Sequence, residues 1–313
     1  MKIRSLAFAS LFALSAHAAT TVERFAADPL QNGWQIFGDT NLFQWNAASN
    51  NLAVTWDSLR PNSYFYRPLG ATYTQADGFC VVFDFQLSDA TASGYGNELA
   101  IGLLYLSDAT NSAFMRSAGT LPNVCEFDYF APDDFSDPAS DDATLVDSSA
   151  NFYFAFDNKT LNPGVNYHVL LIHQPGATGV SGGIFTNGQT ITSLPFAYAN
   201  FPNTNDAGAF QLDTLAVSSY ADDGFGDSLL AHGTVSRLAF ASPLPVEKIK
   251  TVAAGEIQFT SDTNWLYTLE QTLDFKTWNN AAPATFCSGT NLFLQATNLP
   301  SDKSFYRVRA DLP

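Results

Sequence analysis

The stretch Phe79-Cys80-Val81-Val82-Phe83-Asp84-Phe85-Gln86-Leu87 decides the fold class. Side chains of an extended chain point alternately to opposite faces. Phe79, Val81, Phe83, Phe85 and Leu87 therefore line one wholly apolar face. Cys80, Val82, Asp84 and Gln86 line the other, which is half polar. Such a strand belongs to a sheet with one face in a core and the other partly wet. Outward from it, aromatic and β-branched runs alternate with Gly, Asn, Asp and Pro clusters. Strands are expected at 34–37, 52–56, 63–67, 98–106, 123–130, 151–156, 167–173, 210–220 and 234–240. This is an all-β pattern, and no long stretch carries a capped 3.6-residue period.

Ser242-Pro243-Leu244-Pro245 interrupts the pattern. Two prolines so close cannot continue a central strand and make a stiff linker. The expected organisation is a large β domain over 19–242, a linker at 243–246 and a small β domain over 247–313. Within the small domain, strands are expected at 256–260, 265–271, 291–296 and 304–310. Trp265, Tyr267 and Leu269 alternate there, as do Tyr306 and Val308. Some 65 residues is near the lower limit for independent stability.

The N-terminus reads as a secretory signal. Lys2 and Arg4 precede a short apolar run, and Ala16-His17-Ala18 is a small-x-small cleavage site. The run is shorter than the roughly 20 residues a membrane-spanning helix needs. A secreted or cell-surface protein, cut after Ala18, is expected. Removing residues 1–18 leaves 12 Lys+Arg against 30 Asp+Glu. A surface this acidic repels nucleic acid and anionic lipid and suits cations or neutral polysaccharide. Twenty-four of the acids are Asp, a turn-favouring residue, which places most of them in loops.

One segment, 123–147, concentrates the acids. Its first half reads as a strand with Glu126 and Asp128 on one face. Its second half reads as a loop crowded with Asp133, Asp134, Asp137, Asp141 and Asp142. Hard cations bind oxygen ligands of this kind. Glycosidases use paired carboxyl groups about 5–9.5 Å apart. A solvated acidic turn is the third reading of the same residues.

The 19–242 region resembles a concanavalin A-like jelly-roll β-sandwich, the fold of legume lectins, laminin G-like modules and family-16 glucanases. The resemblance rests on the opening 25–34 segment, Asn51-Leu-Ala-Val-Thr-Trp56 and the closing Gly233-Thr-Val-Ser-Arg-Leu-Ala-Phe240. In such folds the first and last strands lie close together. The segment after Asn123 resembles the metal-binding stretch of legume lectins. The resemblance makes Glu126 and Asp128 the strand ligands. It places a carbonyl ligand at Phe130 and a further ligand at Asp137, with Pro138 completing an Asp-Pro pair; Asp133 or Asp134 of the acidic loop is expected to join them. Pro132 stands where those lectins have an Asn ligand. Asp142 stands where they have a His, which favours Ca2+ over a transition metal. The glucanases carry a second catalytic Glu on this strand, and Phe130 holds its position here. The resemblance thus implies a non-catalytic, lectin-like glycan binder, with Glu126 and Asp128 as catalytic candidates in the alternative enzyme reading. A purely structural surface role is the third. The 265–308 pattern resembles small modules that end large exported bacterial proteins.

Two residue classes remain. Sugar rings stack on Trp and Tyr faces, which makes Trp45, Tyr64 and Tyr66 candidates for contact with polysaccharide or a cell-surface glycan. Cys80, Cys125 and Cys287 are too few for a disulfide framework. If one pair forms, Cys80–Cys125 is the expected one, and buried free thiols are the competing expectation.

Overall fold

The computed structural model describes residues 19–311 apart from 95–97, 117–122, 133–138, 154–159, 187–188, 193–208, 223–225, 245–249, 254, 262–264, 274–276, 287–290 and 298–303. Before Pro243 the chain forms β1 (Ala19–Glu23), β2 (Gln35–Phe37), β3 (Phe43–Asn46), β4 (Asn51–Asp57), β5 (Ser63–Thr74), β6 (Phe79–Ser93) and β7 (Leu99–Leu104). A short helix, α1 (Leu106–Ala109), follows. Then come β8 (Val124–Phe130), β9 (Ser140–Val146), β10 (Phe152–Tyr153), β11 (Asn166–His173), β12 (Ser181–Thr186), β13 (Gln189–Thr192), β14 (Gln211–Ser219) and β15 (Ser228–Ser242).

These strands make two antiparallel sheets. One runs β13-β12-β11-β6-β15-β4-β3, with β1 also on β15. The other runs β10-β9-β8-β7-β14-β5-β2. The chain crosses repeatedly between them, as a jelly-roll sandwich requires. The expected closeness of early and late strands holds: Leu52 to Asp57 of β4 pair with Val235 to Leu230 of β15. The 25–34 segment, by contrast, contains a 3-10 turn at Pro29–Asn32, with Asp28 capping the Leu30 amide.

The core lies between the sheets and is built by alternation. Phe79, Val81, Phe83, Phe85 and Leu87 of β6 all enter it, facing Ile101, Phe127 and Leu215 from the other sheet. Phe83, Phe85 and Phe127 have ring centroids 5.7–5.8 Å apart, within the range of favourable aromatic pairs. In β15 both Val235 and Leu238 are core residues, an odd spacing for a strand. A β-bulge between Val235 and Arg237 resets the parity and allows it.

After residue 249 come β16 (Lys250–Ala253), β17 (Glu256–Thr260), β18 (Leu266–Thr272), β19 (Asn279–Asn280), β20 (Thr285–Phe286), β21 (Asn291–Gln295) and β22 (Phe305–Asp311); residues 245 and 246 of the expected linker lie outside the described residues. One small sheet runs β16-β17-β21, and in the other β19, β20 and β22 flank β18. Their buried Ile257, Phe259, Trp265, Tyr267 and Leu269 form one cluster with Cys80, Val82, Ala239 and Ala241. Those last four stand on the outer face of β6 and β15. The partly wet face expected for β6 is therefore wet at Asp84 and Gln86 but covered at Cys80 and Val82.

Other expectations need correction. Cys80 and Cys125 are both free and buried, in different clusters. Cys80 faces outward under the C-terminal sheets and Cys125 faces the core, so no disulfide joins them; Cys287 lies outside the described residues. The second half of the acidic segment is not all loop: residues 140–146 are β9, with Asp141 and Asp142 buried. Among the described residues no helix is long and apolar enough to cross a membrane.

β1 begins at Ala19 and pairs with β15 from Ala19↔Ser242 to Glu23↔Leu238. Cleavage after Ala18 would keep all five of these paired residues in the mature chain. The expected N-terminal residue of protein recovered from culture medium is Ala19, read by Edman degradation or intact mass. Recovery with residues 1–18 retained would refute the cleavage.

Candidate functional site

Strand register assembles the site on the outer face of the β10-to-β2 sheet. Glu126 on β8 stands opposite Gly102 on one side and Thr144 on the other. Asp128 stands opposite Ala100 and Asp142 in the same way. Gly102 and Ala100 pair in turn with Ala216 and Ser218, and these with Tyr66 and Tyr64. The result is a floor of small residues between an acidic edge and a tyrosine edge. Glycine is required at 102: a Cβ there would sit 2.3 Å from the Cys125 carbonyl oxygen and 2.7 Å from the Glu126 Cβ.

Residues 105–116 lie over this floor and are tied down along their length. The Leu106 amide donates to Asp213 at 2.9 Å, and the Tyr64 hydroxyl donates to the Ala109 carbonyl at 3.1 Å. The Asn62 side chain donates to the Phe114 carbonyl at 2.9 Å. The Phe114 ring meets Tyr64 edge-on and stacks on Tyr220, at centroid distances of 6.4 and 6.2 Å.

At the end of this segment Arg116 enters the acidic edge. Its Nε lies 2.7 Å from Glu126 Oε1 and 3.1 Å from Glu98 Oε1, and its Nη2 lies 2.7 Å from Asp128 Oδ2. The Tyr220 hydroxyl donates to the other Glu126 oxygen at 2.7 Å. The Tyr220 ring faces the guanidinium at 5.8 Å, a cation–π contact. Glu98, Glu126 and Asp128 are 3%, 1% and 0% exposed, so their charges are held out of water. Burial raises all three carboxyl pKa values, against the pull of Arg116: Glu98 to about 8, Glu126 to about 7, and Asp128 upward. Three acids thus face one cation, and burial favours the protonated form of each.

The same three residues offer carboxylate oxygens within 4.8 Å of one another, a spacing that can hold a metal ion. The donor set does not fit a metal as the fold stands, because the guanidinium already sits among these oxygens. Of the sequence-derived ligands, Glu126 and Asp128 are ion-paired to Arg116, and Asp142 accepts from the Thr144 hydroxyl at 3.2 Å. Phe130 ends β8 opposite Ser140 with its side chain partly buried. Asp133, Asp134 and Asp137 lie outside the described residues.

The aromatic candidates separate. Tyr64 is fully buried beneath Ala109, which removes it as a stacking surface. Trp45 is half-buried against the core, and its N–H is committed to the Phe25 carbonyl at 2.9 Å. Tyr66 stays partly open at the sheet edge, with its hydroxyl on Gln35 at 2.9 Å and Phe37 nearby on β2. The sequence reading missed Glu98, Arg116 and Tyr220 as members of the acidic site.

No family model matches the sequence, and no curated protein matches it either. Among solved structures, the sandwich is similar to legume lectins. Peanut lectin aligns at 12% identity and a TM-score of 0.45, over 74% of this chain and 100% of the lectin. Lotus tetragonolobus seed lectin aligns at 12% identity and 0.45, over 72% of this chain and 99% of its own. A beta-1,3-glucanase from Mycobacterium marinum aligns at 12% identity and 0.37, over 70% and 97%. At this identity and overlap the likeness assigns neither a ligand nor a reaction to the chain.

Proposed function

We propose that this is an exported, non-catalytic, lectin-like protein that binds glycan at the open β5–β2 edge of its sandwich. The observation that carries the non-catalytic reading is the state of the two acids. A catalytic carboxyl group must reach the scissile bond. Both Glu126 oxygens are engaged, by Arg116 and Tyr220, and Asp128 is wholly buried. The small-residue floor that a ligand would otherwise occupy is filled by the chain's own 105–116 segment.

Glycan is thereby directed to the edge beside that segment. Tyr66, Phe37 and Gln35 there combine apolar ring faces with a polar side chain, the pairing that sugars use.

A glycan array run beside a polysaccharide-hydrolysis screen tests this. Binding without turnover is expected. Tyr66→Ala should weaken binding by about tenfold or more, the loss of a stacking contact worth roughly 1–2 kcal/mol, while its circular dichroism stays unchanged. Glu126→Gln should produce no catalytic defect. Hydrolysis by the wild type that Glu126→Gln abolishes would establish the enzyme reading instead.

A further inference from the structure

We propose that Arg116 is the resident cation of the acidic site, so that the chain itself supplies the positive charge a divalent ion would bring, and the fold is independent of such ions. Three observations combine. The first is occupancy. Guanidinium nitrogens stand 2.7–3.1 Å from oxygens of Glu98, Glu126 and Asp128, the same residues whose spacing suits a metal. An ion held by those oxygens at the usual 2.3–2.6 Å would overlap the guanidinium and be repelled by its charge.

The second is delivery. Arg116 is not on a free tail; Asp213, Tyr64 and Asn62 tie down the segment that leads to it. The third is fit to a planar cation. Nε and Nη2 form a fork that meets two carboxylates from neighbouring strand positions, with the Tyr220 ring facing the same group. A planar fork is what arginine offers and a spherical ion does not use.

Thermal unfolding of the full chain tests this at pH 8, with chelator, with millimolar calcium and with millimolar manganese. The wild type is expected to melt at one temperature in all three. Arg116→Met keeps much of the stem and removes the charge. It should melt about 10 °C lower, the cost of stripping the partner from a buried charge cluster. Arg116→Lys, which keeps a cation, should lose less than the Met variant.

Equal losses in the Met and Lys variants would make Arg116 a packing residue and overturn the proposal. So would a Met variant that melts with the wild type. A wild-type melting temperature raised several degrees by either ion, with the rise abolished in Glu126→Gln, would show a metal in the site and overturn it too. If Arg116→Met does not fold, Glu98→Gln/Glu126→Gln/Asp128→Asn/Arg116→Met removes the uncompensated charges and should restore folding. Failure of both variants leaves the wild-type response to ions to decide.

Discussion

A fragment of residues 247–313 is expected to be unfolded in isolation, whereas residues 19–242 are expected to fold. The asymmetry follows from where each buried cluster draws its members. Among the described residues, every member of the core between the sheets lies at or before Phe240. The buried cluster of the C-terminal sheets, among the described residues, is small and is shared with the sandwich. Their buried Ile257, Phe259, Trp265, Tyr267 and Leu269 close against Cys80, Val82, Ala239 and Ala241 of the sandwich. Cut away, so short a chain buries too little apolar surface to offset its conformational entropy.

The complementary fragment carries a cost of its own. It exposes Cys80, Val82, Ala239 and Ala241, with Leu170 and Ile172 at the margin, as one apolar patch. It should melt below the full chain and self-associate. Circular dichroism and analytical ultracentrifugation of the two fragments check this. A folded 247–313 fragment would show that the C-terminal residues form an independent unit. An unfolded 19–242 fragment would show that sandwich and module fold only together. Within the full chain, Ala241→Asp should cost at least about 3 kcal/mol, because it places an unpaired charge in that contact.

What was legible in the sequence was whatever short-range alternation controls. Phe79 to Leu87 announced a core strand, and Trp265, Tyr267 and Leu269 announced another, because burial on one face leaves a period of two. β9 was not legible. Asp141 and Asp142 are turn residues by propensity, and their place in a strand depends on pairing with Tyr129 and Asp128. β12 was hidden by Gly182 and Gly183, which pair with Leu171 and Leu170. Tyr64 and Tyr66 share a face, so alternation could not tell which of them the 105–116 segment would cover.

The acidic site was half legible. Glu126 and Asp128 stood out by spacing, but their partners come from elsewhere in the chain. One signal for Arg116 was present: it is the lone Lys or Arg between Arg67 and Lys159, a region rich in acids. A single cation among so many buried and loop carboxylates is where charge balance would place an ion pair. Glu98 carried no such mark. It opens the run leading into β7 and reads as a solvent-side strand end, yet it is 3% exposed.

Stability is expected to fall as pH rises from 5 to 9, and the acidic site sets the sign. Burial raises the Glu98 and Glu126 carboxyl pKa values to about 8 and about 7, far above the range near 4.3 expected for Glu in the unfolded chain. Between these limits the folded protein binds more protons than the unfolded one. Its stability then declines with pH. The contribution is complete below about pH 4.3 and is lost as pH climbs through about 7 and then 8. His173 works in the opposite sense. Its ring is buried with its nitrogens on the Asp77 and Ala177 carbonyls, and burial lowers its pKa, so stability from that group is lost as pH falls. Glu98→Gln separates the two effects. Glutamine copies the shape of a protonated Glu98 and cannot ionise. The wild type should lose about 5–10 °C in melting temperature between pH 5 and pH 9. The variant should lose clearly less, and at pH 9 it should melt above the wild type. Only below about pH 4.3, where Glu98 carries its proton in the folded and the unfolded chain alike, should the two melt together. A wild-type melting temperature that rises over this interval, or a Glu98→Gln profile parallel to the wild type, would mean that Glu98 is ionised throughout and that Arg116 alone balances the site.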